Sequence, residues 1–407
     1  MQSFRRIMKT QPLFATTKTS TRPWTRYYTN LHTYNRAYYC GAFLKPSVYK
    51  EDKVFKEPKE RVLVTGINGF IGSWVANKLL EKSEYDVVGS VLDQSNTTQL
   101  EALKEGLGEE KFSKLTFLTA DMSKPETIRK AVEDSQCEYI IHLASPFPIV
   151  DPVDENEVIE PAVTGTKTIL EAALENGVKR VVVTSSCATM ESFKKDTEIT
   201  ANEDSWHDPS GYTNTYYKSK NLAEKAAWNF YNNLSQEEKQ RFGLWVINPG
   251  FVLGPLLAKL HGTSQMYITG FMDGTISEFP HIYSEVVDVR DVADAHIKGL
   301  ACESGHRIAV SGGNYTFVQV SDVIKEKYNK EGYNMNLKHA SRFKYLLKSL
   351  YDKDTYEAYK RWKARCIVDN SKAKKMLNID FIPMKKSVLD MAESLFALGF
   401  VQKLQKS

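Results

Sequence analysis

No stretch of this 407-residue sequence reaches the roughly 18 uninterrupted apolar residues that a membrane-spanning helix needs. Cysteine is sparse: Cys40, Cys137, Cys187, Cys302 and Cys366 are scattered, with no C-x-x-C pair. That spacing argues against a structural zinc site or a disulfide framework and fits a reducing compartment. The eight histidines show no metal-ligand spacing, so no metal is expected. Acidic residues are missing from positions 1–50, which hold nine Lys/Arg. The rest of the chain then carries 45 basic against 50 acidic side chains. The body is mildly acidic despite the formal net charge of +4, and no nucleic-acid footprint is implied. Hydrophobic content of 42% with 26% charged residues is that of a globular protein.

What is present falls into three parts. Residues 1–58 form an extension unlike the remainder, rich in Arg, Thr, Ser and Tyr. Arg5, Arg6 and Lys9 interleave with Phe4, Ile7, Met8 and Leu13, and there is no secretory apolar core. The composition suits an organellar transit peptide, most simply mitochondrial, and otherwise an untargeted extension in a cytoplasmic protein. Residues 59–255 read as a nucleotide-binding domain. Residues 256–407 read as a substrate lobe with segments interleaved into that domain.

The organising stretch is Arg61 to Trp74, RVLVTGINGFIGSW. A short apolar run of buried-strand composition meets a glycine turn, and helical spacing follows. Gly66, Gly69 and Gly72 suit a sharp turn, a close approach of backbone to phosphate, and tight packing of the helix start. Together with Asn68, Phe70 and Ile71 they are the candidate residues for a dinucleotide pyrophosphate. The spacing is G-x-x-G-x-x-G, so the glycines gain meaning only from the strand before and the helix after.

Strand-like and helical patterns then alternate. Asp86–Leu92, Leu115–Leu118, Tyr139–Ala144, Arg180–Ser186 and Leu244–Asn248 read as strands, with helices between them. This alternation predicts an α/β protein with a doubly wound parallel sheet of the Rossmann type. Ligands are then expected at the C-terminal strand ends. Residues 256–283 look loop-rich, and 286–299 helical or mixed.

Tyr216 and Lys220 lie four apart in TYYKSKNLAEKAAW, a spacing that puts both on one helix face. An ammonium beside a phenol favours the phenolate, so Tyr216 is expected to titrate below the usual value near 10. Such a tyrosine can exchange a proton with a carbonyl or alcohol. Ser186 ends a strand, where its hydroxyl can hold the same oxygen. Tyr49/Lys53, Tyr356/Lys360 and Tyr359/Lys363 share the spacing and read as surface pairs.

The motifs TGINGFIGSW, HLASP, TSS, YYKSK, NPGFVLGP and VDVRDVADAH follow in order across residues 60–395. With the closing VDNSKAKKMLNID, the chain resembles extended short-chain dehydrogenases/reductases of the dihydroflavonol 4-reductase/cinnamoyl-CoA reductase-like group. The resemblance implies an NAD(P)-dependent oxidoreductase that moves a hydride between nicotinamide and a carbonyl or secondary alcohol. It implies a catalytic Ser186, Tyr216 and Lys220, with Lys220 also holding the nicotinamide ribose. It implies Asp121 and Met122 near adenine, Ala144 near the ribose–pyrophosphate, and Pro249 near nicotinamide. Arg290 and Asp291 are expected to fix the substrate lobe to the core.

One departure bears on the cofactor. Reductases of that group usually carry Arg where this chain has Leu92, and no Lys or Arg occurs between Lys82 and Lys104. Asp93 ends the strand instead, and a carboxylate there suits a ribose 2′-hydroxyl and repels a phosphate. NAD(H) is therefore favoured over NADP(H). Cys187 reads as a packing residue, and His142 as structural. Met190, Phe193, Tyr212 and Phe251 suit a substrate pocket or the core equally. Two alternatives stand beside the reductase reading. One is an epimerase or hydroxysteroid-type dehydrogenase of the same fold; the other is a non-catalytic nucleotide-binding subunit of a mitochondrial assembly. Substrate and oligomeric state leave no readable pattern.

Overall fold

Val62, Leu63 and Val64 form the middle of the first strand, and all three are fully buried. Their alternation sends Val62 and Val64 into one layer of core and Leu63 into the other. A strand buried on both faces is what a parallel sheet covered by helices requires. A computed structural model describes residues 59–146, 152–194, 197–210, 213–260, 262–276, 278–333, 337–351 and 353–401. All lie in one unit, Glu57–Ser407. The acid-free extension and the Tyr49/Lys53 pair fall outside the described residues, as does Tyr212.

Seven strands make the main sheet: β1 (Arg61–Thr65), β2 (Asp86–Val91), β3 (Thr116–Thr119), β4 (Tyr139–His142), β5 (Arg180–Thr184), β6 (Gly243–Pro249) and β7 (His306–Val310). Their order is β7-β6-β5-β4-β1-β2-β3, and every pairing is parallel. The winding reverses between β1 and β4, so a crevice opens there at the C-terminal strand ends. The helices Phe70–Lys82, Thr97–Leu107 and Val289–Gly299 cover one face. Pro125–Ser135, Asn156–Glu175 and Thr215–Asn232 cover the other. No described helix is long and apolar enough to cross a membrane.

The chain leaves this sheet after β6 to build the lobe, returns for β7, and leaves again. In the lobe, Tyr283–Asp288 pairs parallel with Phe251–Leu253 and antiparallel with Gly313–Thr316. Arg365–Val368 runs parallel to Glu198–Ala201. One expectation needs correction here, and another is met. Residues 256–283 are not mainly loop: Thr263–Asp273 is a helix that ends at Gly274, whose φ is +80°. Residues 286–299 are mixed, as their pattern allowed: Asp288 closes a strand and accepts the Arg290 amide at 2.9 Å to cap the helix that follows.

Arg290 chelates Asp288 at 2.8 and 2.7 Å and reaches Asp390 at 2.7 Å in the Met384–Ala397 helix of the lobe. Asp291 accepts the Ile382 amide at 2.8 Å, and burial pushes its carboxyl up to about 6. These contacts tie the lobe to the helix that covers the sheet.

Candidate active site

Gly66 turns the chain with φ +64°, in the left-handed region that a side chain disfavours. Gly72 is needed for a different reason. A Cβ there would stand 2.2 Å from the Gly66 carbonyl oxygen. Gly69 sits at the N-cap, and no side chain caps the Phe70–Lys82 helix. Its first N–H groups therefore face outward as an anion cradle, with no acidic residue in the first turn to oppose one. The cradle and its glycines fit a pyrophosphate. Asn68 donates to Gln99 at 2.8 Å and so ties the turn to the Thr97–Leu107 helix. Phe70 packs toward the lobe and Ile71 into the core, so these two offer backbone amides rather than side chains.

Thr65 holds the next piece. Its Oγ1 accepts the amides of Leu143 at 3.0 Å and Ala144 at 3.1 Å. Its own proton then goes to His142 Nδ1, 2.8 Å away. Ala144 is thereby pinned beside Gly66, and His142 is structural. Burial, with the Lys220 charge nearby, pushes His142 down to about 3, so the ring is neutral.

At the far end of the crevice, Ser186 follows β5, and its Oγ accepts the Ala188 amide at 3.1 Å. Asn214 caps the Thr215–Asn232 helix by accepting the Tyr217 amide at 3.0 Å. That cap sets Tyr216 at the helix mouth, where its hydroxyl is hydrogen-bonded to the Ser186 side chain. Lys220 lies one turn further in and is buried. The fold thus gathers Ser186, Tyr216 and Lys220.

The expected acidification of Tyr216 is reversed. Burial pushes the phenol up to about 12; Ser186 opposes this weakly, and Glu191 and Cys187 add to it. Burial pushes Lys220 down to about 8, against the pull of Glu224. Desolvation disfavours both charged forms, and it outweighs any attraction between the two groups. Tyr216 is therefore a protonated phenol across the ordinary pH range.

Ser186 and Tyr216 open into a cavity of about 320 Å³. Phe251, Tyr267 and Phe317 form one wall, with ring centroids 5.4–5.8 Å apart. Glu191 and Arg361 also line the cavity. Of the aromatic and sulfur candidates, Phe251 lines the cavity, whereas Met190 and Phe193 are buried in a cluster of their own. Cys187 is buried, donates its thiol to the Asn248 carbonyl at 3.1 Å, and is pushed well above the usual thiol range by burial. It is not a nucleophile.

The remaining predicted residues line the strand ends. Leu92 follows β2 with 65% of its surface exposed. Asp93 accepts the amide and hydroxyl of Ser95 at 2.8 and 2.7 Å, which hold its carboxyl below the usual range. Asp121 accepts the same pair of groups from Ser123, while Met122 packs on Gly165. Pro249 is buried at the end of β6. Beside the glycine turn, a second cavity of about 700 Å³ is lined by Asn68, Asn96, Glu101, Glu105 and Lys259, among others. Sequence reasoning passed over Glu191, Arg361, Tyr267 and Phe317 because they meet only in three dimensions. It also passed over Glu224, although its place four residues after Lys220 was a readable signal.

A phosphate cradle at a doubly wound sheet, with a serine, tyrosine and lysine at its far end, defines a nucleotide-dependent oxidoreductase. The chain belongs to the NAD dependent epimerase/dehydratase family, whose family model matches residues 62–310. It is 33% identical over 353 residues to a putative NADPH-dependent methylglyoxal reductase of Candida albicans, covering 81% of this chain and 96% of that protein. It is 37% identical over 246 residues to cinnamoyl-CoA reductase 1 of Petunia hybrida, covering 58% of this chain and 67% of that one. Among solved structures, yeast methylglyoxal/isovaleraldehyde reductase Gre2 complexed with NADPH matches with a TM-score of 0.65 at 28% identity, over 84% of this chain and 99% of that one. The protein is an NAD(P)-dependent oxidoreductase of the extended short-chain type.

Proposed function

We propose that this protein reduces a small carbonyl compound, with Ser186, Tyr216 and Lys220 as its catalytic residues and NADH as its preferred cofactor. The observation that carries the reading is the protonated Tyr216 hydroxyl, bonded to Ser186 at the mouth of a 320 Å³ cavity. When bound, a reduced nicotinamide supplies the hydride. The Tyr216 hydroxyl gives its proton to the carbonyl oxygen, which the Ser186 hydroxyl holds in place. Lys220 steadies the ribose and offsets negative charge as the phenol gives up its proton. The aromatic wall of Phe251, Tyr267 and Phe317 takes the body of the substrate and keeps water out.

The cofactor preference rests on the end of β2. Leu92 is exposed there, and Asp93 presents a carboxylate. Glu101 and Glu105 line the neighbouring cavity together with Lys259. This setting favours a 2′-hydroxyl over a 2′-phosphate, although the yeast relative was crystallised with NADPH. Side-by-side titration with NADH and NADPH tests it; tighter NADPH binding would refute the preference. A carbonyl panel with the better cofactor then tests the activity. For location, the acid-free extension supports mitochondrial import. A fluorescent fusion of residues 1–58 that stays in the cytosol would overturn that.

A further inference from the structure

We infer that Glu224 is a positioning residue for this reduction: it keeps Lys220 charged and locks the strand carrying Ser186 to the helix carrying Tyr216. The inference rests on the catalytic reading above. Glu224 lies one turn beyond Lys220 in the Thr215–Asn232 helix, on the same face. The two side chains line one small cavity with His142, Thr184 and Ser185. Its volume of about 10 Å³ leaves room for about one water. With so little solvent between them, the charges are poorly screened.

The carboxylate is the hub of a buried network. Its Oε2 accepts from the Ser185 hydroxyl at 2.5 Å, the Thr189 hydroxyl at 2.7 Å and Asn248 Nδ2 at 2.7 Å. Its Oε1 accepts from Trp228 Nε1 at 3.2 Å and from the Arg307 guanidinium. Both oxygens only accept, which is the bonding pattern of a carboxylate rather than a carboxylic acid. These donors come from the end of β5, the turn after it, β6, β7 and the helix itself. The Arg307 head also stacks 3.9 Å from the Trp206 ring centroid and donates to the carbonyls of Glu203 and Ser205. A buried ion pair adds little net stability, but it penalises every arrangement that separates its members. The same carboxylate also bonds Ser185 and Thr189, on either side of Ser186, so separating the network would move the β5 end away from the helix that carries Tyr216.

Five charged or titratable groups bear on Lys220 or on its partner. Glu224 and Tyr216 share its helix, His142 comes from β4, Arg307 pairs with Glu224 from β7, and His296 bonds Thr184 at 2.7 Å. Burial pushes both histidines down, His296 to about 4, so neither is charged above pH 6. Glu224 is then the group that holds the lysine proton against burial. Wild-type kcat/KM for reduction should fall as pH rises through about 8, as Lys220 loses its charge.

The test compares pH profiles of kcat/KM for wild type, Glu224→Gln and Arg307→Met. In Glu224→Gln the alkaline limb should move down by about one pH unit, so its deficit at pH 8.5 exceeds its deficit at pH 6 about tenfold. Glu224→Asp should restore the limb toward wild type. Arg307→Met keeps the carboxylate, so its limb should stay at or above the wild-type position. If Glu224→Gln does not fold, the double variant Glu224→Gln/Arg307→Met removes the stranded guanidinium together with its carboxylate and should show the same downward shift. A uniform loss at all pH values, with the limb unmoved, would overturn the role of Glu224. Absence of any carbonyl reduction by wild type would instead overturn the catalytic reading.

Discussion

The two ends of the cofactor crevice are built on opposite plans. At the β5 end, Ser186, Lys220 and Glu224 are buried and Tyr216 is half-buried, and the Tyr216 hydroxyl and the Glu224 carboxylate are bonded to other elements. At the β2 end, Leu92 is 65% exposed and Asp93 is held by Ser95, two residues away. Burial at the first end sets proton affinities, whereas exposure at the second leaves recognition to a few side chains. The chemistry should thus resist substitution badly, and the cofactor preference should be easy to change.

The largest effect is expected at the buried end. Tyr216→Phe removes the proton donor and should lower kcat about 100- to 10,000-fold, read from initial rates at saturating NADH. Wild-type turnover by that variant would break the comparison at its strongest point. Next comes the glycine turn between the two ends. Gly72→Ala drives a methyl against the Gly66 carbonyl and should cost about 1–3 kcal/mol. By fluorescence titration, NADH affinity should weaken about tenfold or more.

At the exposed end, Leu92→Arg with Asp93→Ser adds a guanidinium and removes a carboxylate. The ratio of kcat/KM for NADPH over NADH should rise about tenfold or more, with kcat for the preferred cofactor little changed. A fall in kcat of the same size would show that the ends are not independent. The smallest effect sharpens the contrast from within the buried end. Cys187→Ala trims a packing residue whose thiol bonds a backbone carbonyl. Rates should stay within about threefold and stability should drop by only about 1 kcal/mol, measured by thermal melting.

Much of the nucleotide half was readable because its signals are local. RVLVTGINGF carries its own strand, turn and helix start, and Tyr216 and Lys220 share a helix face by spacing alone. The depth of a side chain is not local, which is why Tyr216 was expected to be acidified and is instead pushed up to about 12. The helix Thr263–Asp273 escaped notice because Ile268, Thr269 and Gly270 weaken its intrinsic preference. Packing against the lobe cluster, where Ile268, Phe271 and Met272 are buried, overrides that. Glu224 could be seen beside Lys220, but its partners Asn248 and Arg307 lie 24 and 83 residues further on.

The late return of the chain for β7 has a consequence for biosynthesis. The edge strand at His306–Val310 and the covering helix at Val289–Gly299 both follow the first lobe segments in sequence. A nascent chain that stops at residue 255 would present β6 as a bare edge and leave one sheet face partly uncovered, a surface prone to aggregate. The nucleotide half is therefore not a separable module. Truncations at that boundary should yield insoluble product, and the ribosome must release residues past 310 before this sheet can close.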